Sequence, residues 1–290
     1  MPSIARGQAR TLPPVAACWA ARVASEMLLT QSGGGIVLPS PLLDIREDAM
    51  ETRIDEIAPR IYRLSTCRPG AGGGFTFNQF LIDADEPLLF HCGQKPLFAS
   101  VSSAAARILD LTRLRWITYS HTEADECGSL NEWLTLAPHA TPMHGDLGCR
   151  LWLNDWAARP PRRLADEEVI ELGGKRVRYL DTPNVPHDVV AGLLFEESTA
   201  TLLCSDLFAH TGDGPALTED DILAPALALE ATFPFTPVTA ETAPTIRRLA
   251  RSHPRTLAVM HGSSFAGDAG AMLERMAQHY DARLRNVRAP

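Results

Sequence analysis

No two of the six cysteines (Cys18, Cys67, Cys92, Cys127, Cys149, Cys204) stand in a C-x-x-C pair, so a zinc ribbon or rubredoxin-like knuckle is excluded. A chain of 290 residues needs no disulfide to hold a core, and a reducing, cytoplasmic setting is expected. Positive charge is short as well: 27 Lys and Arg stand against 35 Asp and Glu, for a formal net charge of −8. No broad cationic face is on offer, so neither nucleic acid nor a membrane surface is expected as a partner. No apolar run approaches the roughly 18 residues of a membrane span. No internal repeat is visible.

What is present is an ordinary globular composition, 45% hydrophobic. Residues 1–49 join the apolar stretch "LPPVAACWAARVASEMLL" to "SGGG" and "PSP". Arg22 cuts the apolar patch too early for a targeting signal, and the segment reads as a flexible N-terminal extension. Folded-domain character starts near Met50 and is expected to run over 50–290.

From there strands and helices mix. Residues 60–66, 75–83 and 86–92 read as strands, with "DADE" turning between the last two. Residues 99–109 read as a helix, 114–120 as a buried strand and 129–137 as a helix. Residues 168–182 form two strands around a Gly-Gly hairpin, and 189–208 repeat the device with a polar turn. A helix over 241–251, a strand over 256–262 and a closing helix over 268–284 complete a layered α/β domain.

Four islands place a metal-competent side chain where a predicted strand or stiff loop ends. His121, Glu123 and Asp125 follow "LRWITYS"; His187 sits in "TPNVPHDVV"; Asp206 ends "TATLLCSD"; His261 ends "TLAVMHG", with Gly262 leaving room for close approach. If 121–125 stays extended, its alternate residues converge and Glu126 points away. Alone, H-x-E-x-D is more often a solvated acidic loop. Together, the islands match the way loops on a rigid scaffold assemble ligands.

The order and spacing resemble the metallo-β-lactamase fold over about residues 57–285, and more narrowly its oxygen-binding di-iron (flavodiiron-like, ODP) branch. Ordinary hydrolases of the fold carry H-x-H-x-D-H, whereas that branch has Glu at the third position, as Glu123 stands here. The resemblance implies a four-layer αββα sandwich with metals at one sheet edge. It implies that His121, Glu123 and His187 hold one iron, that Asp125 and His261 hold the other, and that Asp206 bridges them. Three carboxylates with three imidazoles suit iron or manganese better than a His-rich zinc site does.

The pattern departs from the family in places. Glu126 stands where many relatives have a second His. With Asn184, His144 and His210 it is expected one layer out from the metals. His91 reads as a core residue and Cys127 as a small apolar filler. No Gly-rich flavodoxin-like module follows the domain, so no built-in FMN is expected and electrons would come from a separate reductase. Three functions stay open on the sequence. The first is a di-iron protein that binds or reduces a small diatomic, dioxygen or nitric oxide. The second is a zinc or manganese hydrolase of a thioester, lactone or phosphodiester. The third is a metal-bound sensor or interaction module.

Overall fold

Fourteen strands, most of them buried on both faces, fall into two sheets of seven among residues 50–288, which the computed structural model describes. The predicted extension over 1–49 lies outside the described residues. The first sheet runs in chain order: β1 (Thr52–Ala58), β2 (Ile61–Arg68), β3 (Phe75–Ile82), β4 (Leu88–Phe90), β5 (Trp116–Thr118), β6 (Thr141–Gly145) and β7 (Arg162–Leu164). The second holds β8 (Val169–Glu171), β9 (Arg176–Asp181), β10 (Gly192–Glu196), β11 (Thr201–Ser205), β12 (Leu217–Thr218), β13 (Thr256–Val259) and β14 (Ser264–Ala266). Its order is β12-β14-β13-β11-β10-β9-β8.

Strand alternation builds the layers. On β3, Phe80 and Ile82 enter a cluster shared with Tyr179, Leu194, Leu203 and Ala258 of the second sheet. Their neighbours Phe77 and Leu81 face the other way, onto helices α1 (Phe98–Ala105), α2 (Ala124–Cys127) and α3 (Leu130–Leu136). In the second sheet Leu193, Leu202 and Leu257 turn outward onto α4 (Leu223–Thr232), α5 (Thr242–Ala250) and α6 (Ala269–Arg288). Three apolar clusters thus separate four layers, the αββα sandwich that the resemblance implies. Burial on both faces explains why "GLLF", "TLLC" and "TLAV" read as continuous apolar runs rather than alternating ones.

The expected hairpin turns at Gly173 and Gly174, whose φ values of 70° and 83° are costly for residues with a Cβ. Strands β1, β6, β7, β12 and β14 and helix α4 are additions to the sequence reading. All but β1 are short or carry Pro142, Pro225 or paired arginines; β1 has seven residues, but Arg53, Asp55 and Glu56 and a bulge between Glu56 and Ala58 break its alternation, so these elements owe their conformation to their neighbours more than to local pattern.

Candidate metal centre

Topology brings the four islands to one edge. Strands β9 and β11 are both antiparallel to β10, and β11 is parallel to β13, so β9, β11 and β13 all run the same way. Their carboxyl ends open into the loop of His187, into Asp206 and into His261, while β5 of the facing sheet delivers His121. Ligands gather at carboxyl ends of strands because the loops there can diverge without breaking the ladder.

The side chains form two groups, His121, Glu123, His187 and Asp206 in one, Asp125, Glu126 and His261 in the other. Within each group, ligand atoms lie within 4.8 Å of one another. Asp206 joins the two. Its Oδ2 lies 3.0 Å from His187 Nε2 and 3.4 Å from His121 Nε2; its Oδ1 lies 3.3 Å from His261 Nε2. Asp125 Oδ2 is 3.3 Å from that same His261 nitrogen. Donors bonded at about 2.1 Å to a six-coordinate ion stand about 3 Å apart when adjacent and about 4 Å when opposite. The separations here fit that geometry.

Unpaired buried atoms also fit a metal. His121 Nε2 and both Glu126 carboxylate oxygens are buried and meet no hydrogen-bond partner. Such atoms are expensive to leave bare in an interior, and a cation satisfies imidazole lone pair and carboxylate together. The non-ligating nitrogens are already committed: His261 Nδ1 donates to Thr76 O at 2.7 Å, and His121 Nδ1 lies 2.8 Å from Ser120 Oγ. The Thr76 carbonyl requires a proton on His261 Nδ1, and both contacts aim Nε2 inward.

The backbone explains how the six residues from His121 to Glu126 supply so many donors. Glu123 is extended (φ −120°, ψ 162°), but Ala124–Cys127 turns helical at once. The extended reading therefore fails after Glu123, and with it the expectation that Glu126 points away. Neighbouring helical side chains lie about 100° apart, not opposite, so Asp125 and Glu126 both face the site. Glu126 is 0% exposed, with Oε1 3.8 Å from His121 Nε2. A second fastening is Asp188, whose Oδ2 accepts from Thr122 N at 3.2 Å and Thr122 Oγ1 at 2.5 Å, tying the His187 loop to the His121 segment.

Charge follows from burial and neighbours. Burial pushes Asp206 up, but His187 and His261 overcome it and hold the carboxyl well below the usual range. Burial raises Glu126 as well, here unopposed, and the carboxylates of Asp206, Asp125 and Glu123 add to it, so its pKa stands well above 4.5. Burial would lower His261, yet Asp125 and Asp206 raise it to about 10. His187 is raised by Asp206 despite its burial.

The residues expected one layer out divide. His144 Nε2 lies 3.2 Å from Ser120 O, behind His121. His210 is buried and spends both ring nitrogens, Nδ1 donating to Phe208 O at 2.9 Å and Nε2 accepting from Ser263 N at 3.0 Å. Asn184 adopts φ 64° and its N–H donates to Asp188 O at 2.8 Å, shaping the His187 loop. Gly262 leaves room for His210 rather than for a metal: with φ 95°, a Cβ there would stand 2.3 Å from His210 Nε2. His91 is fully buried as expected, its Nε2 3.2 Å from Ser120 Oγ.

Sequence reading missed the clamp behind His261. From β3, Asn78 Nδ2 donates to Val259 O at 2.8 Å and Gly262 O at 3.0 Å; from β2, Arg63 Nη1 donates to Gly262 O at 3.1 Å. Both side chains sit on the inter-sheet face and are closed off from solvent. Asn78→Ala is expected to take the side-chain donor from the Val259 carbonyl, leave Gly262 O to Arg63 alone, and cost about 1–3 kcal/mol in denaturant unfolding of the metal-free protein. An unfolding midpoint equal to that of the unaltered chain would show that the clamp is redundant.

A family described as ODP family beta lactamase matches residues 75–229, just over half of the chain. The "Putative diflavin flavoprotein A 1" of Thermosynechococcus vestitus is 27% identical over 157 residues, 52% of this chain and 27% of that protein. The diflavin flavoprotein A 1 of Synechocystis sp. is 25% identical over 142 residues, 48% of this chain and 24% of that one. The chain therefore spans about a quarter of the length of these curated relatives. Among solved structures, the metal-soaked Flv1 flavodiiron core of Synechocystis sp. superposes with a TM-score of 0.67 at 19% identity, covering 80% of this chain and 61% of its own. The rubredoxin oxygen:oxidoreductase of Desulfovibrio gigas gives 0.68 at 14% identity, covering 79% and 62%. Fold, strand-end donors and family match agree, and the chain belongs to the ODP family of beta-lactamase-fold proteins.

Proposed function

We propose that His121, Glu123, Asp125, His187, Asp206 and His261 hold two iron ions, and that the centre binds or reduces dioxygen or nitric oxide with electrons from a separate reductase. The observation that carries this reading is Asp206, one oxygen turned to each donor group, in a set rich in carboxylates. Hard oxygen donors mixed with imidazole favour iron or manganese over zinc. The name of the similar Desulfovibrio gigas protein, rubredoxin oxygen:oxidoreductase, supports the same direction. When bound there, a pair of ferrous ions would supply the electrons that a diatomic needs.

The chain's own part is positioning and exclusion. Thr76 and Ser120 orient two imidazoles, and Asp188 fixes the loop of a third. Side chains of the other five donors are at most 17% exposed, while that of Glu123 is 51% exposed. Solvent thus meets the site on the Glu123 side. Protein loaded with ferrous ion under nitrogen and then given air or nitric oxide is expected to develop a new charge-transfer absorption band. No spectral change would contradict the proposal. Turnover of a thioester, lactone or phosphodiester with zinc or manganese, but not iron, would replace it with the hydrolase reading.

A further inference from the structure

We propose that Glu126 is itself a metal ligand, a fourth carboxylate that completes the half of the centre held by Asp125 and His261. The inference rests on the di-metal reading above and adds a donor to it.

Three observations converge. Glu126 has no solvent exposure, and among the described residues neither of its oxygens meets an N–H donor; the polar side chain beside it is the Asp125 carboxylate, itself an anion. His121 Nε2, 3.8 Å away, is too far to hydrogen-bond it, so the natural counterpart of this buried carboxylate is a cation. Next, its ligand atom clusters with those of Asp125 and His261 within 4.8 Å, the spacing found among the other donors. The helical turn Ala124–Cys127 places it there beside Asp125.

Ligand counting then favours it. One half of the centre has His121, Glu123, His187 and Asp206 Oδ2; the other, without Glu126, has only Asp125, His261 and Asp206 Oδ1. Glu126 makes the two halves equal at four protein donors each. It also balances charge, because Glu123, Asp125, Glu126 and Asp206 together offset two divalent ions. A neutral cluster is the form that a buried site tolerates best. Added oxygen ligation moves the site further towards iron or manganese.

The test uses the full chain and cobalt(II) as a spectroscopic probe. Metal-free protein is titrated with cobalt(II), comparing the unaltered chain with Glu126→Gln, Glu126→His and His121→Ala. Glutamine keeps the shape and removes the charge, so the metal-free fold should survive; a circular dichroism melt of each variant checks this. The expected result is two cobalt ions per unaltered chain. In Glu126→Gln the affinity for one of them should fall at least about tenfold with a change in its ligand-field bands, and Glu126→His should restore much of the loss. A Glu126→Gln variant that binds both ions with unchanged affinities and bands overturns the proposal, while loss of binding in His121→Ala alone leaves the centre standing. If the unaltered chain binds no cobalt, the di-metal reading falls and the Glu126 proposal with it.

Discussion

Asp206→Asn is expected to leave purified protein with well under one metal ion per chain, where the unaltered chain holds about two. The reason is geometric. Each oxygen of Asp206 serves a different donor group, and asparagine replaces one of them with an amide nitrogen that has no lone pair to offer. The substitution also removes a negative charge from among three imidazoles, so the remaining donors repel a cation more. Losing an outer-layer partner alone costs a metal site about 10- to 100-fold in affinity, and loss of a shared ligand should exceed the top of that range. Plasma mass spectrometry after gel filtration measures the content, with the exposed Asp220→Asn as control. Retention of two ions in the Asp206 variant would show that the carboxylate does not bridge.

Loading the metal-free protein near pH 7 is expected to release about two protons per chain. His261, with a pKa of about 10, holds a proton there that its ligand role does not permit. Glu126, raised by burial and by three carboxylates, is the next source, and His187, raised by Asp206, is a third. Asp206 and Asp125 contribute nothing, because both are lowered and already ionised. Apparent metal affinity should therefore climb with pH by about tenfold per unit for each proton displaced. Calorimetric titration in buffers of different ionisation enthalpy reads the proton number directly, and a value of zero would contradict the ligand assignment. Stability of the metal-free protein carries the matching sign. The raised pKa of His261 contributes stability that is complete below its ordinary 6.5 and is lost as pH rises to about 10.

The sequence made the donors legible because their chemistry is local: a strand that stops on His, Asp or H-x-E-x-D announces itself through period-two patterning. It misled at Glu126 because a change from extended to helical backbone within one residue, after Glu123, reverses which neighbour faces the site. Nothing in "HTEADE" fixes that change; the facing residues do, through Cys92 N, which donates to Glu126 O at 2.5 Å. The support around the ligands was invisible for a related reason. Asn78 and Arg63 sit in β3 and β2, yet act on the exit of β13, more than 180 residues away in the chain. Five residues near the centre, His91, Asn184, Asp188, Ser205 and Phe208, take positive φ despite having side chains. Each such conformation costs about 1–3 kcal/mol, and only the assembled fold can hold it.

Whether two iron ions share the Asp206 carboxylate is read by Mössbauer spectroscopy of the iron-57-loaded full chain. About two irons per chain are expected which, once oxidised, are antiferromagnetically coupled and silent in electron paramagnetic resonance, with both ions lost in His121→Ala. Two uncoupled high-spin ferric signals, or the same iron content in the variant, would contradict it.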